Sequence, residues 1–120
     1  MSKSLAQILL AGIFVKGGAD AFLHPVGRVD AVQAAGLQNP KAAVELNGAA
    51  MAVGGAMLAL DIAPKLAAVG LIGCLVPTTI VGHAFWKAEG EAAKKAQLTQ
   101  FLKNLGLLGG LLLVLTHQEE

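Results

Sequence analysis

The sequence predicts an all-α protein, a four-helix transmembrane bundle with both termini on the same side. Three observations carry that prediction. Of 120 residues, 55% are hydrophobic and only 14% charged, against roughly 45–50% and about 25% in soluble domains. The mean hydropathy is +0.64. The apolar residues gather into four runs, each close to the length of about 20 residues that a spanning helix needs.

The length fits a single domain over 1–120. A net charge of +1, with one Trp, four Phe and no Tyr, supplies neither a basic face nor stacking platforms, so no nucleic-acid partner is expected. The single Cys74 excludes an intramolecular disulfide and a cysteine-built metal site, and its mid-span position suits an inert buried thiol.

The first span runs from Leu5 to Leu23, interrupted by Lys16 and Asp20. Lys3, the apolar run and Ala19-Asp20-Ala21 have the layout of a signal peptide, but the two charges break its apolar region, so a retained helix is expected. His24-Pro25-Val26-Gly27 and Gln38-Asn39-Pro40 are turn signals. Between them Val29, Val32, Ala35 and Leu37 form one side of a short interfacial helix. The second span, Ala42 to Leu60, contains Glu45 and Asn47. Asp61 to Lys65 is a tight hairpin that places Pro64 at the start of the third helix. That third span, Leu66 to Ala84, contains Pro77, which predicts a kink. Lys87 to Gln97 is rich in Ala, Glu and Lys and reads as an exposed helical extension. The fourth span, Leu98 to Thr116, has the shortest apolar part, so Lys103 must snorkel toward the headgroups.

Four crossings leave Lys3 and Lys65 at one face, and Arg28, Lys41, Lys87, Lys94, Lys95 and Lys103 at the other. The positive-inside rule then assigns the two long loops to the cytoplasm and the termini to the outside.

The ionisable residues inside the spans share one end. With about 1.5 Å of rise per residue, Asp20 lies about 5 Å, Lys16 about 10 Å and Glu45 about 6 Å from the long-loop ends of their helices. His24, His83 and Asn104 belong to the same end, and the opposite half reads as Leu, Val, Ala and Gly. Such groups are costly in a bilayer and normally face a protein interior. Lys16 and Asp20 can pair at i,i+4, and Lys16 can also meet Glu45 across the helices, the pair expected here. Lys16, Asp20, Glu45, His83 and Asn104 therefore have three readings. They lock helices together, they line a pocket open to one leaflet for a quinone head, lipid headgroup or small anion, or they meet partner subunits.

Two histidines at one end, His24 and His83, raise the question of haem or metal. Without H-E-x-x-H, C-x-x-C-H or a His pair on one helix, no metal site is expected. Phe85 and Trp86 fit an interfacial anchor. Gly48, Ala52 and Ala56 form a small-residue stripe, and Gly106 and Gly110 a GxxxG, both suited to close helix packing. There is no G-x-S-x-G and no phosphate loop, so no catalytic residue is assigned.

The order of these features resembles the DoxX family of small membrane proteins. The residues concerned are Lys16 followed by Pro25, Glu45 ahead of Gly54-Gly55, His83-Ala84-Phe85-Trp86, and Phe101-Leu102-Lys103-Asn104 before Leu107-Leu108-Gly109-Gly110. The resemblance covers nearly the whole chain, and its most specific part is His83 to Gly110. It implies a multi-pass protein of the bacterial cytoplasmic membrane and, through relatives linked to thiosulfate:quinone oxidoreductase and other redox assemblies, an accessory subunit without independent catalysis. Membrane lipids and other membrane subunits are then the partners, and a quinone or lipid the occupant of any site. A stand-alone quinone- or sulfur-linked component and a structural lipid-binding bundle remain open alternatives.

Overall fold

The computed structural model describes residues 2–34, 36, 38–83 and 85–116, and every described element is helical. The helices are α1 (Ser2–Leu23), α2 (Val26–Ala34), α3 (Pro40–Ala59), α4 (Pro64–Gly82) and α5 (Glu91–Thr116), with a 3₁₀ turn at Phe85–Lys87 before α5. Among the described residues, α1, α3, α4 and α5 are the four segments long and apolar enough to cross a membrane. The long axis of 48 Å exceeds the hydrocarbon thickness of about 30 Å, so the ends of the bundle reach headgroup depth.

Local chemistry sets the helix boundaries. Pro40 and Pro64 occupy the first turns of α3 and α4, where a missing N–H costs no helical bond. The hairpin between α3 and α4 closes as a Schellman turn. Asp61 takes the left-handed conformation at φ 57°, Ile62 N–H donates to Met57 O at 2.8 Å, and Asp61 N–H donates to Leu58 O at 3.2 Å. The α4 helix continues through Pro77. The expected interfacial helix is α2; Ala35 and Leu37, assigned to it above, lie outside the described residues. The Lys87–Gln97 extension is helical from Glu91 and continuous with α5.

The helices pack in series. The closest seam joins α1 to α3, α4 follows on α3, α5 packs on α4, and α1 and α5 meet only marginally. Glycines make the α1–α3 seam possible. A Cβ on Gly18 would lie 2.5 Å from Ala52 N and Gly48 O, and one on Gly48 would lie 2.7 Å from Gly18 O. Without side chains there, the backbones touch directly and gain dispersion contacts, which drive association where solvent does not. Of the small residues singled out in sequence, Gly48 and Ala52 serve this seam, and Gly110 receives Leu10 of α1. Ala56 is exposed, and a Cβ on Gly106 would meet nothing within 4 Å; both face away from these contacts.

The apolar core lies toward the hairpin end, where Ala11, Phe14, Leu58, Leu71, Leu75 and Leu111 form one cluster. That half is not purely apolar, as the sequence suggested. Gln7, 2% exposed, donates from Nε2 to Leu58 O at 3.0 Å and to Asp61 Oδ1 at 2.9 Å. One amide thereby ties α1 to the α3–α4 hairpin, while its Oε1 is buried without a partner.

Candidate functional site

Above the core, toward the long loops, the bundle is hollow. A cavity of about 620 Å³ opens between the helices, within the range of about 300–1,000 Å³ typical of small-molecule sites. Its floor is Phe14 and Leu75, which also belong to the core cluster. From α1 it takes Ile13, Gly17 and Ala21, from α3 Val44, Asn47 and Met51, from α4 Pro77, Thr78 and Val81, and from α5 Lys103, Asn104 and Leu107. The short α2 lies across α3 and α4 and contributes Arg28 and Val32, while His83 enters from the end of α4. The series packing explains the void: α1 and α5 scarcely touch, so the space they share with α3 and α4 is left unfilled.

Two polar relays on α4 frame it. Thr78 and Thr79 are consecutive and point about 100° apart, the rotation of one helical residue. Thr78 Oγ1 donates to Cys74 O at 2.8 Å and accepts from Asn47 Nδ2 of α3 at 2.9 Å. Thr79 Oγ1 donates to Leu75 O at 2.7 Å and accepts from Asn104 Nδ2 of α5 at 3.0 Å. Each hydroxyl folds onto the carbonyl one turn back, the usual habit of helical Thr in an apolar setting, and offers its lone pair to a neighbouring helix. Together they bolt α3 and α5 to adjoining faces of α4.

His83 is held from outside the cavity. Its Nδ1–H donates to Gln97 Oε1 of α5 at 2.9 Å, which fixes the ring and leaves Nε2 for another partner. Beyond it Phe85, Trp86 and Phe101 form an edge-to-face triangle with ring centroids 5.2 to 5.9 Å apart. Trp86 is half exposed, compatible with a headgroup-level position. The triangle clamps the 3₁₀ turn to α5 and so sets where His83 enters.

The five polar residues expected to act together separate into two pairs and a lone Glu45. His83 and Asn104 line the cavity. Lys16 and Asp20 pair with each other at 2.7 Å on the outer surface, their side chains 77% and 45% exposed. The expected Lys16–Glu45 pair is replaced by this local one. Gly18 faces α3, and Lys16, two residues and about 200° away, faces outward. Glu45 is half-buried but is not a lining residue of the cavity. Sequence reasoning missed Thr78, Thr79 and the role of Arg28. It noted Asn47 only as an interruption of the second span. The available signal was Pro77-Thr78-Thr79, three residues poor in hydropathy within an otherwise apolar helix. Among the described residues, no group of three or more His, Cys, Asp and Glu side chains gathers as a metal site.

Fold and cavity together define a class: a small multi-pass helical membrane protein with a partly polar pocket inside its bundle. The sequence pattern of the DoxX family matches residues 3–84, more than half of the chain, and the chain belongs to that family. The match spans α1 to α4 and ends before the aromatic triangle and α5, so most of the His83 to Gly110 segment thought most specific lies beyond it. No curated protein and no solved structure matches the chain.

Proposed function

We propose that this chain is an accessory subunit of a membrane redox assembly, and that its pocket holds the polar head of an amphiphile, a quinone or a lipid. One observation carries the reading. A cavity of about 620 Å³ has apolar walls from four helices and a polar upper half formed by Asn47, Thr78, His83 and Asn104. Sites of this kind fix a ligand by a few placed hydrogen bonds and bind it by apolar contact. The accessory role draws support from the Lys16–Asp20 pair on the outer surface. An ion pair facing lipid is expensive, and the surface of a neighbouring subunit would relieve that cost.

Native mass spectrometry of the protein extracted gently from its own membrane tests both parts. The expected result is a stoichiometric assembly containing redox subunits, with one quinone or lipid retained per copy of this chain. The Gly17→Leu variant fills the pocket wall at a position where a Cβ meets nothing within 4 Å, so it should fold and lose the retained molecule. Identical adducts on wild type and Gly17→Leu overturn the pocket reading, and a bare chain in every preparation overturns the accessory role.

A further inference from the structure

We propose that the pocket selects an amphiphile with an acidic head, a carboxylate or a phosphate carried on a hydrocarbon chain. The inference rests on the reading of the cavity as an amphiphile site and adds the charge of its occupant. Two cations line the cavity from different elements, Arg28 on α2 and Lys103 on α5, and among the described residues none that lines it is Asp or Glu. Asp20 is paired with Lys16 on the outer surface and also lies within Coulombic reach of Arg28, while neither Asp30 of α2 nor Glu45 of α3 lines the cavity.

The hydrogen bonding of Lys103 sharpens the point. Lys103 Nζ donates to Gln100 Oε1, a neutral acceptor, and no carboxylate among the described residues forms an ion pair with it. The other polar lining groups, Asn47, Thr78, His83 and Asn104, supply hydrogen bonds but no negative charge. Arg28 and Lys103 are both exposed at the half-open cavity they line, and an anionic head seated there would be attracted by both. A neutral quinone head would use the donors and add no counter-charge to either cation. An acidic head answers both, while its chain lies against Ile13, Val44 and Leu107 on the walls.

The test uses the whole chain in phosphatidylcholine nanodiscs doped, in separate arms, with oleate, phosphatidate, monoolein or ubiquinone-10. Native mass spectrometry counts the molecules retained. One oleate or one phosphatidate should be retained about tenfold more often than monoolein or quinone at equal doping, equivalent to about 1.4 kcal/mol. Oleate ahead of phosphatidate identifies a free carboxylate as the head, and the reverse identifies a phospholipid headgroup; either supports the proposal. Arg28→Gln with Lys103→Gln should bring acidic and neutral probes within about twofold of each other. Lys65→Gln with Lys94→Gln removes the same charge outside the pocket and should leave the preference intact. Equal retention of acidic and neutral probes by wild type overturns the charge selection and leaves the amphiphile reading standing. Retention of none overturns both, and a preference lost equally in the Lys65/Lys94 variant assigns it to diffuse charge and overturns the pocket as its source.

Discussion

The two halves of the bundle are built from the same helices and behave as opposites. Toward the hairpin, Leu58, Leu71 and Leu111 are fully buried, and a single amide, Gln7, fastens α1 to the turn. Toward the long loops the same four helices border a half-open cavity of about 620 Å³, and hydrogen bonds through Thr78 and Thr79 hold α3 and α5 at a fixed spacing on α4. Packing supplies the rigidity of the sealed half. Directional polar bonds supply it in the hollow half, where there is too little side-chain volume to fill the space. A bundle that must keep a void needs such struts, since an apolar interior gains contacts by collapsing onto it.

The largest expected effect lies in the seam that both halves share. Gly48→Leu would drive a side chain into Gly18 O and Phe22 N, at 2.7 and 2.8 Å from the new Cβ. Backbone cannot yield as a side chain can, so the loss should exceed the usual overpacking cost of about 1–3 kcal/mol. Gly106→Leu, into open space, should be tolerated. Unfolding in mixed micelles read by circular dichroism compares the two, and equal loss would remove the seam from the account.

Charge placed in each half separates them next. Gln7→Glu sets a carboxylate against Leu58 O and Asp61 in the sealed half. A second carboxylate against Asp61, without the amide's two donated bonds, should destabilise the fold clearly. Asn47→Asp places the same charge where Arg28 and Lys103 share the cavity, and should cost clearly less. Equal penalties at pH 8 would break the distinction between the halves.

The struts come third. Asn104→Ala removes the bond to Thr79 and should destabilise by about 0.6 kcal/mol, and at most about 1.7 kcal/mol, the measured range for hydrogen bonds between membrane helices. It should also lower retention of the pocket's occupant, a combination that Gln7→Ala in the sealed half should not show. Smallest of all is the outer pair. A double-mutant cycle of Lys16→Met with Asp20→Asn should show coupling between the two paired charges, and Lys16→Met with Glu45→Gln should be additive. Strong coupling between Lys16 and Glu45 would restore the interhelical pair and place both residues back in the interior.

The sequence by itself determined the class of the molecule. Apolar runs near the bilayer thickness, Pro40 and Pro64 at helix starts and the Asp61 turn are local properties, fixed by transfer free energy and backbone sterics. The sequence also placed Asn104 and His83 at the long-loop end by simple counting along the helix. Rotation about the helix axis was decided only by tertiary packing. Which face of α1 meets α3 depends on Gly18 touching Gly48, and that contact alone sends Lys16 outward and leaves Gly17 on the cavity wall. The roles of Asn47, Thr78 and Gln7 were hidden for the same reason: their partners lie 31 to 54 residues away in sequence, at separations that no helical period reveals. Depth in the membrane is written along the chain, but facing is settled between helices.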